Sequence, residues 1–150
     1  GHIEITPYRP GDESRLRSLV LKWALANDAA VPDAEFINSP ESLVASSSAV
    51  IFLAREKRSM AGVIAARLNG DRSEITCFVI DPQWQHSRAG EELLNRLLQN
   101  LRELRIRRVS ITLPAASPVS RLIREKGFQR VKEEKDRFAM RISGITSRRI

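Results

Sequence analysis

One cysteine, two histidines and one tyrosine are all that 150 residues provide of the side chains most used as nucleophiles, metal ligands and phenolic acids. A lone thiol, Cys77, excludes an intramolecular disulfide and any cysteine-rich metal site, which points to a reducing, cytoplasmic setting or to indifference to redox state. Its apolar surroundings mark it as a packing residue. His2 stands in a Gly1-His2 pair that reads as a remnant of expression, leaving His86 as the one histidine to consider. No apolar run approaches the roughly 20 residues of a membrane span, and no charged-then-apolar secretion signal opens the chain, so a soluble protein with no membrane partner is expected. Aromatics are 5% of the residues, too few to interleave with basic residues as single-strand nucleic-acid surfaces require.

Positive charge is abundant: 25 Lys and Arg against 18 Asp and Glu, a net charge of +7. That balance favours an acidic partner, whether a phosphorylated cofactor, an acidic substrate, nucleic acid or an anionic surface, and does not choose among them. The densest basic segment, Arg102-Glu103-Leu104-Arg105-Ile106-Arg107-Arg108, reads as a helix end whose cations complement the helix dipole, which disfavours nucleic acid as the partner. The 42% apolar content suffices for one core. Residues 3–142 are expected to form one domain, with 143–150 a loose tail.

Ile3-Glu4-Ile5-Thr6 predicts a first strand, and Asp12 an N-cap for a helix carrying Leu16, Leu19, Val20, Trp23 and Ala24 to about Asn27. A second helix is expected around Ser39 to Ala45. Ala49–Ala54 and Met60–Leu68 read as neighbouring strands joined by a charged hairpin. Asn69-Gly70-Asp71 is a tight-turn signal leading into a third strand from Ser73 to Ile80. That strand loses its apolar/polar alternation near its end, as expected of a central strand covered on both faces. A polar turn follows, then a helix striped by Leu93, Leu94, Leu97, Leu98 and Leu101. Arg107–Leu113 is the next strand, and the strand-helix-strand order makes it parallel to the central one. A short helix through Lys126 stops at Gly127, and Phe128–Glu133 with Arg137–Ile142 close a final hairpin. The fold class is therefore α/β (α+β): a mixed, mostly antiparallel sheet with helices on both faces, in the order β-α-α-β-β-β-α-β-α-β-β.

The turn Gln85-His86-Ser87-Arg88-Ala89-Gly90 is a candidate phosphate cradle, because first-turn N–H groups lack internal partners and the helix dipole concentrates positive charge there. Directly before it stands Ile80-Asp81-Pro82-Gln83-Trp84. In element order, and in this strand-turn-helix unit, the chain resembles the GNAT acyltransferase superfamily from Ile3 to Ile142. The family's signature is Gln or Arg, two residues, Gly, one residue, then Gly or Ala, after a strand often ending Val-Asp-Pro. Gln85 takes its first position, Arg88 its middle glycine and Gly90 its last. In the later motif Gly127-Phe128 is kept, while Ala116 stands at the asparagine position and Ile123 at the tyrosine position.

The resemblance implies transfer of an acetyl group from acetyl-CoA (coenzyme A) to a primary amine of a small molecule or peptide, and pairing through the C-terminal hairpin as a possible homodimer. It implies Phe78, Val79 and Ile80 beside the pantetheine and residues 85–90 around the diphosphate. Glu74 is implied as a base acting through water, or is a strand carboxylate paired with a nearby arginine. Ser120, one helical turn before Ile123, is a candidate for orienting a water near the sulfur, or a solvated helix serine. Arg88 either obstructs the cradle or grips a phosphate. The departures at Arg88, Ala116 and Ile123 leave a second reading, a catalytically impaired CoA-binding or regulatory module. Asp28, Asp33, Glu35 and Glu41 are candidates for attracting a cationic amine, or solvated loop charges; they do not identify the acceptor.

Overall fold

The computed structural model describes residues 2–114 and 116–142, so the expected tail at 143–150 lies outside the described residues. Among them, β1 (Glu4–Pro7), α1 (Glu13–Ala26), α2 (Ala34–Asn38), α3 (Pro40–Ala45), β2 (Ala49–Glu56), β3 (Ser59–Asn69) and β4 (Arg72–Ile80) come first. A single 3-10 turn, Pro82–Trp84, precedes α4 (Ala89–Glu103), β5 (Arg108–Thr112), α5 (Ser120–Glu125), β6 (Gln129–Arg130) and β7 (Arg137–Arg141). The sheet order is β1-β2-β3-β4-β5-β7-β6, antiparallel except for the pair β4–β5. This is the mixed α/β sheet the sequence predicts, with helices on both faces.

The leucine stripe explains why α4 lies where it does. Leu93, Leu94, Leu97 and Leu101 are fully buried against Ile64, Ala66, Phe78 and Ile80 on one face of the sheet. On the other face, Leu16 and Val20 of α1 and Phe36 of α2 pack with Val63, Ala65, Cys77 and Val79. Adjacent residues near the end of β4 thus belong to opposite cores, which is why its alternation fades there.

Three local features depart from expectation. Helix α2 has only five residues, too few for a periodic signal. It is held by Asp33, whose carboxylate accepts from the Phe36 N–H at 3.2 Å, and by burial of Phe36 and Ile37. At the β3–β4 hairpin, Asn69 already pairs with Arg72, so the two loop residues are Gly70 and Asp71; Gly70, at φ 64°, takes the left-handed position rather than Asn69. Asp12 sits at the start of α1 but caps no helix amide. Its carboxylate accepts from the Arg9 N–H at 2.8 Å and pairs with Arg55 of β2, tying the loop to the sheet.

One irregularity positions everything that follows. Ala65 pairs with Cys77 and Ala66 with Ile75, so Thr76 is an extra residue in β4. The bulge returns Ile75 to the α4 face. Parallel pairing with β5 covers only Arg72–Ile75 against Arg108–Ile111. Beyond the bulge the two strands part and leave a wedge.

Candidate functional site

The wedge is the middle of a path formed by three adjoining recesses. The first, about 440 Å³, lies at the N-terminus of α4 and is lined by Ile80, Gln85, His86, Ser87, Arg88 and Gly90, with Ser117 to Val119 opposite. The second, about 270 Å³, occupies the wedge itself, between Ile75–Val79 and Ile111–Leu113; it shares Trp23, Phe78, Ser117 and Pro118 with the first. The third, about 340 Å³, is lined by Asp33, Arg67 and Glu74 and shares Ile75, Thr76 and Thr112 with the second. A long ligand would meet amides and arginine at one end, apolar walls in the middle and carboxylates at the other.

At the first end, the backbone amides divide into two sets. The Ser87 N–H donates to the Trp84 carbonyl at 3.0 Å, and the Ala89 N–H donates to Ser87 Oγ at 3.1 Å. Those of His86, Arg88 and Gly90 have no hydrogen-bond partner among the described residues and remain available to an anion. Ala89 itself is fully buried. Arg88 does not fill this end: its side chain is 76% exposed and its guanidinium lies 3.4 Å from Glu91. Its backbone, at φ −88° and ψ 8°, needs no glycine. Gly90 is different, because a Cβ there would stand 3.3 Å from Leu122 of α5. The last signature glycine therefore serves helix packing behind the amides.

In the middle, Phe78 and Ile80 are core residues whose edges also line the first recess, while Val79 is buried on the opposite face and borders the wedge. Ala116 stands in the wedge wall. Ile123 is wholly buried in the core, and Ser120, buried on the first turn of α5, lies outside the lining of the wedge; Ser117 takes the junction instead. Burial also pushes the Cys77 thiol well above its ordinary range, so this cysteine is inert.

The third end is charged. Glu74 is 46% exposed, with Arg137 at 3.9 Å. Asp33, in a left-handed conformation at φ 48°, receives two hydrogen bonds from Arg67, at 2.8 and 2.9 Å, and Arg67 also reaches Glu35 at 2.9 Å. Burial is the largest influence on Asp33 and opposes its ionisation, but the hydrogen bonds from Arg67, the facing Thr76 hydroxyl, the Phe36 N–H and the Arg67 charge together outweigh it and hold the carboxyl below its ordinary value of 3.8. Asp12 is likewise lowered, burial again being overcome by the combined hydrogen bonds and charges of Arg55 and Arg9. Between the folded values and 3.8 the unfolded chain binds more protons than the native one, so stability falls as pH falls. The melting temperature is expected to hold from pH 7 to about 5 and to drop below about 4. Asp33→Asn should flatten that acid limb in a calorimetric pH series; an unchanged limb would remove Asp33 as a contributor.

Thr76 connects the middle and charged ends. Its Oγ1 is buried and makes no hydrogen bond of good geometry, but it faces the Asp33 carboxylate and helps to hold it ionised. Trp23, at the junction of the first two recesses, reads in the sequence as one more member of the α1 stripe. Neither residue carries a sequence signal separating it from packing; only the bulge and the parting of β4 from β5 expose their role as lining.

Residues 26–142 match the family described as Acetyltransferase (GNAT) domain. No curated protein matches. Among solved structures, an acetyltransferase of the GNAT family from Staphylococcus aureus Mu50 superposes with a TM-score of 0.81 at 14% identity, covering 95% of this chain and 100% of that one. The PaiA N-acetyltransferase of Thermoplasma acidophilum, in complex with coenzyme A, gives 0.74 at 18% identity, covering 94% and 98%. A GNAT family acetyltransferase of Brucella melitensis, in complex with acetyl-CoA, gives 0.71 at 18% identity, covering 95% and 89%.

Proposed function

This chain belongs to the GNAT acetyltransferase family, and on that premise we propose that it moves an acetyl group from acetyl-CoA to a primary amine. The observation that carries the reading is the continuity of the path, from the open amides of His86, Arg88 and Gly90, along the wedge beside Val79, to Glu74 and Thr76. Acetyl-CoA would supply an acyl thioester and a diphosphate. The free amides and the helix dipole would hold the diphosphate, each favourable contact contributing on the order of 1 kcal/mol. Gln85, His86 and Ser87 would complete the rim, and the backbone of Phe78, Val79 and Ile80 would flank the pantetheine.

An alkyl amine, with a pKa of about 10.4, is mostly protonated at pH 7 and must lose a proton before it attacks. Glu74 would take that proton through water, and the Thr76 hydroxyl would orient the water or the amine. The new N–C bond forms as the C–S bond breaks. The electron pair leaves with sulfur, as a thiolate whose parent thiol has a pKa of about 8.5, so departure needs no strong acid. Ser120, as a positioning residue for a water near the sulfur, would act only through Ser117 and the loop between them. A second reading, a CoA-binding module with little turnover, draws on the departures at Arg88, Ala116 and Ile123: Ala116 in the wedge wall and the buried Ile123 supply neither an amide nor a phenol to the departing sulfur.

Calorimetric titration with coenzyme A, followed by thiol release from acetyl-CoA with a panel of amines, tests both readings. Binding with release supports the enzyme, binding alone the module, and no binding defeats both. Because the Arg88 backbone is unstrained, Arg88→Gly should relieve nothing. Its expected effect is a 3- to 10-fold loss of coenzyme affinity, about 1 kcal/mol for an exposed charge-assisted contact, shrinking as salt is raised. A gain in affinity would mean that the side chain obstructs.

A further inference from the structure

At the other end of β4 and α4, the fold gathers arginines that the sequence scatters. Arg72 opens β4, Arg102 lies in the last turn of α4, Arg105, Arg107 and Arg108 lead into β5, and Arg141 ends β7. Together they line a recess of about 840 Å³, in which only Asp71 and Glu103 are acidic. More than half of the chain's net charge of +7 therefore faces one concavity. Main-chain bonds hold the segments together: the Arg107 N–H donates to the Asp71 carbonyl at 2.6 Å and the Ile142 N–H to the Arg107 carbonyl at 2.9 Å. Arg72, Arg105, Arg107, Arg108 and Arg141 are exposed and form no ion pair among the described residues. Arg105 ends the helix in a left-handed conformation, φ 64°, where glycine is the usual occupant.

The chemistry of the lining selects the partner. Every basic residue in it is arginine, whose planar fork bonds two phosphate oxygens at once. No aromatic side chain lines it, so bases have no stacking surface. Its two apolar residues, Ile106 and Ile142, are buried and offer a bilayer no anchor. We propose that this groove binds the phosphodiester backbone of a nucleic acid without reading its bases. The scarcity of aromatics, which argues against single-strand base recognition, leaves this mode untouched.

The test is fluorescence anisotropy of the full chain with labelled 20-base-pair RNA and DNA duplexes of two unrelated sequences, titrated across salt. Expected is binding independent of sequence, with log affinity falling against log salt at a slope of about −3 to −5, as for four or five neutralised phosphates. Arg72→Ala with Arg108→Ala should weaken binding at least 10-fold. Arg105→Gly should weaken it about 3-fold while holding or raising the melting temperature, a combination that loss of folding cannot produce. Arg121→Ala, a charge removed from a side chain 91% exposed on α5, should leave affinity within 1.5-fold. Equal weakening by Arg121→Ala, equal binding of polyglutamate or of phosphatidylserine vesicles, or absence of duplex binding at low salt would each overturn the proposal.

Discussion

Replacing Glu74 by Gln should lower kcat/KM for the amine about 100-fold at pH 7, with coenzyme A affinity unchanged. General-base assistance typically contributes 10²–10⁴-fold, and the low end suits the proposed role of a half-exposed carboxylate acting through water. The deficit should shrink as pH approaches the pKa of the amine, about 10.4, because the nucleophile then loses its proton unaided. Glu74→Asp should fall between the two. The competing explanation is that Glu74 only pairs with Arg137, at 3.9 Å and in contact with solvent. Such a pair contributes about 0–1 kcal/mol to stability and nothing to the reaction. A pH-rate comparison separates them: parallel profiles of equal height for wild type and Gln would leave Glu74 a structural residue.

Gly62→Val is expected to produce the largest loss of stability, about 1–3 kcal/mol, and to damage coenzyme binding with it. A Cβ at residue 62 would stand 2.8 Å from Ile80 Cδ1, 3.1 Å from Leu93 Cδ1 and 3.0 Å from the Val79 carbonyl oxygen. The two side-chain ends can rotate away, but the carbonyl belongs to the β3–β4 ladder and cannot move without loosening it. In a chain of 150 residues the cost corresponds to a fall in melting temperature of roughly 3–10 °C. Ile80 also lines the first recess, so its displacement should weaken coenzyme A several-fold. Urea unfolding and calorimetric titration with coenzyme A, each on wild type and Gly62→Val, check the two losses. Unchanged stability in the variant would mean that β3 and α4 do not press together here as closely as the contacts require.

Long periodic segments were legible because their signal is repeated. Five leucines at spacings of three and four admit only a helix with one buried face, and α4 follows. The loss of alternation at Phe78-Val79-Ile80 marked a strand between two cores before either core was visible. Short elements carry no such redundancy. Five residues of α2 have no period to read, and they are helical because Phe36 and Ile37 are buried and Asp33 turns back to Arg67 and the Phe36 amide. The turn Gln85–Gly90 could be recognised as an anion site from local rules alone, since free amides belong to any helix start. Which of its amides are free could not, because Ser87 uses its backbone N–H and its hydroxyl to occupy neighbouring groups.

By itself the amino-acid sequence determined the order of the strands and of the helices other than α2, the mixed sheet and the family, because these rest on patterns repeated along contiguous residues. It also marked the first turn of α4 as a candidate anion site and, with a single cysteine, excluded an intramolecular disulfide. Tertiary structure alone decided what lies between. Thr76 becomes an extra residue only when β4 is paired with β3, and the wedge exists only because β5 stops following β4 after Ile75. Arg72 and Arg141 join the arginines of the α4–β5 connection only when three strand ends meet. Each is a property of register and strand divergence, set by contacts between residues far apart in the chain, on which no local spacing reports.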